Sequence, residues 1–154
     1  MNRWARGLVV GTVATTALNL ATYADMLVRG RPASAVPADA VGTLAGRAGV
    51  RLGDEPRAAH RREAAGVLSG YATGVGLAMS YVLAEPHVRG RRPFWVVAAA
   101  VGATAMTVGN VPAIASGSTH PRQWDAADWL ADVVPHAAYG LAAVATADAI
   151  GRPS

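Results

Sequence analysis

Four stretches of the chain, each about 20 residues long, contain no arginine, and together they fill more than half of its 154 residues. They cover residues 7–27 (GLVVGTVATTALNLATYADML), 64–84 (AAGVLSGYATGVGLAMSYVLA), 94–115 (FWVVAAAVGATAMTVGNVPAIA) and 130–150 (LADVVPHAAYGLAAVATADAI). As helices rising about 1.5 Å per residue, segments of this length match a bilayer core about 30 Å thick. The alternative, a soluble bundle with buried helices, lacks material for a polar shell. Only 16% of residues are charged and 52% are hydrophobic, whereas a soluble domain carries about 25% charge. The expected fold is all-α: a four-transmembrane-helix bundle forming one integral membrane domain over 1–154, with the lipid bilayer as its first partner.

The charges reinforce this reading. All 14 basic residues are arginine, and they cluster beside the apolar runs as Arg3/Arg6, Arg29/Arg31, Arg57/Arg61/Arg62 and Arg89/Arg91/Arg92. A net charge of +4 distributed in this way marks membrane flanks rather than a nucleic-acid groove, so no nucleic-acid partner is expected. The absence of cysteine excludes disulfides, thiolate metal sites and a cysteine nucleophile. Arginine without lysine, in an alanine-, glycine- and valine-rich chain, is the composition of a high-GC bacterial genome. The first run, followed by "TYA", also has the outline of a secretory signal; Asn19 inside it and the lack of a soluble remainder argue for a retained span.

The long connection, residues 28–63, contains "SAVPADAVGTLAGRAGV", whose apolar spacing predicts a short interfacial helix. In "DEPRAAHRREAAG", Asp54 is the expected helix cap and Pro56 falls in the first turn, so the second span begins outside the bilayer. With both termini cytoplasmic, Arg3, Arg6, Arg89, Arg91, Arg92 and Arg152 lie inside. Apart from the long loop, the only arginine left outside is then Arg122. The positive-inside rule thus favours termini inside. Gly66/Gly70/Gly74, Gly7/Gly11 and Gly102/Ala105/Gly109 place small residues in helical register, which allows close backbone approach between spans. A homo-oligomer or a partner membrane subunit remains open.

The side chains that need explaining are polar ones within the spans. Measured from the side bearing the long loop, Asp132 and Asp25 lie within about 4 Å of the span ends. Asn110, His136 and Tyr71 lie at about 8–9 Å, and Asn19 and Tyr139 at about 13 Å. All seven fall in one leaflet. The other leaflet offers almost nothing polar beyond Thr12, Ser80, Tyr81 and Asp148 near its edge. Asp25, Asn19, Tyr71, Asn110, Asp132, His136 and Tyr139 are therefore the candidate polar pocket. His136 is its titratable member and Asp132 is the partner one turn away. Pro112 and Pro135 are expected to free backbone acceptors at this depth.

Asp125, Asp128, Asp132, His136 and Tyr139 share one face of the last helix. Asp125 is expected to cap it and Asp128 to sit at its positive end. Trp124 and Trp129 mark the headgroup belt. A divalent metal among Asp125, Asp128 and His120 or His136 is the alternative reading. The D-x-x-D-x-x-x-D spacing resembles the first aspartate-rich motif of membrane prenyltransferases. However, Trp124 replaces its leading asparagine, the second motif is missing, and the chain has about half the helices of that fold. No Ser/His/Asp triad, phosphate loop or haem-attachment motif occurs. No catalytic residue and no cofactor is assigned, and an enzyme is the third reading.

"ADMLVRGRPAS" after the first span, the long connection, a glycine-rich span ending near "AEP", and "DVVPH" in the last span together resemble the YagU-like family of small bacterial inner-membrane proteins. The resemblance covers most of the chain in outline. Here Pro135 stands where that family tends to glycine, and Asp132 where it tends to glutamate. The resemblance implies a fold type and an inner-membrane location, with no established activity and a loose association with acid resistance. Two functions follow as expectations: a structural or accessory bundle protein, or a proton-linked small-solute transporter or channel working through His136 and Asp132.

Overall fold

A computed structural model describes residues 1–90 and 92–151. Among them there are five α-helices and no strand: α1 (Arg3–Arg29), α2 (Val36–Arg47), α3 (Arg57–Val88), α4 (Phe94–Ser116) and α5 (Ala126–Ala149). A single 3-10 turn, Pro121–Gln123, precedes α5. Four of the five, α1, α3, α4 and α5, are long and apolar enough to cross a membrane.

The helix ends follow local chemistry. The Asn2 side chain accepts from the Ala5 amide and starts α1, and Gly30, at φ 64°, ends it in a left-handed turn. Gly117, at φ 80°, ends α4 in the same way, as suits a residue without Cβ. Asp125 and Asp128 form a reciprocal capping box at the start of α5, each side chain bonding the other's amide. The start of α3 corrects the sequence expectation. Asp54 is not the cap; the Glu55 carboxylate accepts from the Ala59 amide at 3.1 Å, with Pro56 at the cap position. A glutamate has the extra methylene needed to reach over the proline.

Around the bundle the order is α3, α1, α5, α4. The largest contacts of α1 are with α5 and α3, α4 packs chiefly on α5, and α3 meets α4 only lightly. The short helix expected in the first connection is α2, and it lies across α3 and α4. At α3 it approaches Gly66, where an added Cβ would meet Pro37 and Ala38 at 3.1–3.2 Å. At α4 it is tied by Arg47, which donates to the Ala115 carbonyl at 3.1 Å. The Gly66/Gly70 step therefore does not pack span on span: Gly66 serves α2, and Gly70 faces open space.

Two other glycine pairs bring spans together. Gly11 leaves only 2.8 Å between an added Cβ and the Val75 backbone, joining α1 to α3. Gly102 and Gly140 face each other across α4 and α5. An added Cβ at Gly102 would lie 2.6 Å from the His136 carbonyl oxygen.

The core cluster lies mainly in one half of the bundle. Val10, Ala14, Ala78, Val82, Val97, Tyr139 and Val144 are buried together, all toward the end that carries the chain termini. Toward the other end, no residue of α1 beyond Thr15 is buried, none of α3 between Gly66 and Ala78, and none of α5 before Pro135. The outer surface is strongly apolar. Leu27, Leu68, Leu20 and Trp95 are each at least 66% exposed, an arrangement that water penalises by about 25 cal/mol per Å².

Candidate functional site

His136 and Asp132 lie one turn apart on α5, and Asn110 reaches them from α4. The Asn110 amide donates to Asp132 Oδ2 at 2.7 Å and to the Met106 carbonyl at 2.9 Å. His136 Nδ1 lies 2.7 Å from the Asp132 carbonyl oxygen and 3.2 Å from Asp132 Oδ1. Both neighbours of Nδ1 are acceptors, so Nδ1 carries the hydrogen in either charge state. Any second proton is taken at Nε2, which points toward Gly109 on α4. Each carboxylate oxygen of Asp132 therefore has its own donor, one on α4 and one on α5. The carbonyls without amide partners because of Pro112 and Pro135 are not what these side chains bind.

The other expected pocket residues are placed differently. Asp25 is held by two guanidinium groups. Arg29 Nε lies 2.7 Å from Oδ1 and Arg31 Nε lies 2.5 Å from Oδ2. Arg29 continues to the Ala127 carbonyl at 3.3 Å, tying the end of α1 to the first turn of α5. Tyr139 is fully buried and donates to the Gly74 carbonyl at 2.6 Å, joining α5 to α3 one layer below His136. Tyr71 is exposed and Asn19 half-buried; no hydrogen bond joins either to the Asp132 group. The structure thus brings together Asn110, Asp132 and His136, with Tyr139 as the layer beneath. Asp25, Tyr71 and Asn19 stand apart from them.

The metal alternative does not assemble. Among the described residues no three His, Asp or Glu side chains are placed to hold an ion. Asp125 and Asp128 are taken up by the capping box, and His120 is exposed before the 3-10 turn. Trp124 and Trp129 pack edge to face at 5.0 Å, and Trp124 Nε1 donates to Thr119 Oγ1.

The half expected to be almost free of polar groups contains a buried ion pair. Arg6 and Glu85 meet at 2.5 Å with side chains 3% and 2% exposed, and Arg6 also donates to the Ala147 carbonyl at 2.6 Å. One guanidinium thereby links α1, α3 and α5. Its Nε and the Tyr81 hydroxyl are buried without a hydrogen-bond partner among the described residues. Near the surface at this end, Arg89 pairs with Asp148 at 2.6 Å and lies over the Phe94 ring. The sequence reading took Arg6 for a flanking charge because the apolar run begins at Gly7. A usable signal was the spacing of Arg6, Val10 and Ala14, four residues apart on a single inward face. Glu85 continues the Ala78–Tyr81–Val82 face of α3 in the same way.

Two concavities lie away from His136. One, about 360 Å³, lies in the connection before α3 and includes Glu55, Arg57 and Arg61. There the Arg62 guanidinium, 2.7 Å from Glu55, holds that carboxyl below its usual 4.5. The other, about 250 Å³, is an apolar groove between α3 and α4. No protein-family model, curated protein or solved structure matches the chain.

Proposed function

We propose that the chain is a small multi-pass protein of a bacterial plasma membrane, termini inside, with a structural or accessory role as a helical bundle. The observation that carries this reading is the disposition of polar groups. Asn110, Asp132 and His136 bind one another, Asp25 is held by Arg29 and Arg31, and below Tyr139 the bundle is filled by an apolar core and the buried Arg6–Glu85 pair. A solute or proton entering from the loop end meets paired groups and then a packed layer. The exposed leucines and tryptophans fit a lipid environment or a partner membrane subunit, and the sequence resemblance to YagU-like proteins implies an inner-membrane location.

The test is a pH-gradient assay in vesicles reconstituted with the full chain. The expected result is dissipation no faster than in protein-free vesicles. Faster dissipation that Asp132→Asn abolishes would overturn the proposal. It would favour the second reading, a proton-linked transporter or channel. That reading draws support from the position of His136 at the level where the bundle loosens, with Nε2 free of the Asp132 interaction. In that case His136→Ala removes the flux as well.

A further inference from the structure

The groove between α3 and α4 has one apolar course and one charged end. Leu77, Tyr81, Ala84 and Val88 on α3 face Ala100 and Thr104 on α4, where the two helices pack least. From Leu77 to Val88 it runs about 16 Å along the helix axis, half of a bilayer core about 30 Å thick. It therefore has the depth of a single leaflet. At its outer end the Arg92 guanidinium donates to the Val88 carbonyl at 2.5 Å, and Arg89 stands beside it over Phe94.

We propose that this groove binds an anionic phospholipid, with one acyl chain along α3 and α4 and the phosphate on Arg92, beside the Arg89–Asp148 pair. The inference rests on the chain being a membrane protein. A second copy of the chain suits the groove poorly. Copies in a membrane share one orientation, so another copy would bring its own Arg89 and Arg92 to the same depth. The carboxylates at this end, Glu85 and Asp148, are already paired with Arg6 and Arg89. Arg92 contacts the Val88 carbonyl and no carboxylate among the described residues; a phosphate brings that missing negative charge, and an arginine near a membrane surface attracts anionic lipid by about a fivefold gain in binding. The α2 helix covers the α3–α4 seam toward the opposite end, so the groove opens only in the leaflet where these arginines lie.

The experiment is native mass spectrometry of the full chain in a mild non-ionic detergent, titrated with phosphatidylglycerol or phosphatidylcholine of identical acyl chains. One phosphatidylglycerol adduct is expected at a concentration roughly fivefold below that for phosphatidylcholine. Arg92→Gln should weaken it about fivefold. Ala100→Phe should fill the groove and remove the adduct, while Leu20→Phe on the exposed side of α1 leaves it unchanged. Far-UV circular dichroism of each variant verifies the helices. If Ala100→Phe fails to fold, Thr104→Leu takes its place. Equal retention of the two lipids, or a filled groove that still retains phosphatidylglycerol, overturns the site. A chain that remains soluble without detergent would instead overturn the membrane reading itself.

Discussion

Replacing Gly140 by alanine tests the closest crossing in the bundle. An added Cβ would sit 2.7 Å from the Gly102 nitrogen, 3.0 Å from the Gly102 Cα, and closer still to the Ala98 carbonyl oxygen. Every one of these is backbone, which cannot swing aside as a side-chain tip can. Restoring ordinary contact at about 3.5–4.0 Å requires α4 and α5 to separate by about 1 Å, and a gap of that size forfeits a quarter to a half of each atom pair's attraction. Overpacking of this kind costs about 1–3 kcal/mol. Gly70→Ala is the matched control, because nothing lies within 4 Å of its added Cβ. The gain in helix propensity from replacing glycine, up to about 1 kcal/mol, is common to both variants and cancels between them. Unfolding in mixed micelles, followed by far-UV circular dichroism, should therefore place Gly140→Ala about 1–3 kcal/mol below Gly70→Ala. Equal stability of the two, within about 0.5 kcal/mol, would refute the close crossing.

Three further outcomes are expected. Glu85→Gln or Arg6→Met alone should destabilise the bundle by about 3–5 kcal/mol in the same assay, whereas Arg6→Met with Glu85→Leu should recover much of the loss; additive losses would contradict a direct pair. Tyr139→Phe removes the bond to Gly74 and should cost about 0.5–1.5 kcal/mol, with amide exchange rising at the Gly74 turn of α3. Glu55 has a carboxyl held below 4.5 by Arg62, so its contribution is fully present above that pH and is lost as pH falls through the lowered value. The protection factor of the Ala59 amide, corrected for the intrinsic exchange rate at each pH, should fall on acidification in the native chain, and Arg62→Gln should move that onset upward.

The architecture was largely readable because it rests on helix length and on where arginine is absent. The four long helices follow from those two signals, and the helix in the first connection from its apolar spacing. The capping box of α5 follows from Asp125 and Asp128. Position within the bundle was harder. Counting depth along each span grouped Asn110, Asp132 and His136, but it could not tell that Tyr71 points away from the bundle, because depth says nothing of rotation about the helix axis. The buried pair at Arg6 escaped because an arginine next to an apolar run resembles a flank. Its inward direction is set by register with Val10 and Ala14, not by its position in the run. Gly140 was missed for a related reason: its partner, Gly102, lies on another helix, and no spacing within one helix reveals it.

The Arg6 contact to the Ala147 carbonyl spans 141 residues of sequence, and this has a consequence for assembly. During synthesis, α1 leaves the ribosome first, yet its main partners are α3 and the last helix, α5. Until those arrive, the Arg6 guanidinium has neither Glu85 nor Ala147, and it is cheapest to keep in the headgroup layer. Its buried position is therefore complete only once α5 is in place. Closing so long a loop is entropically slow, and the completed bundle is marked by the loss of that arginine's exposure to water.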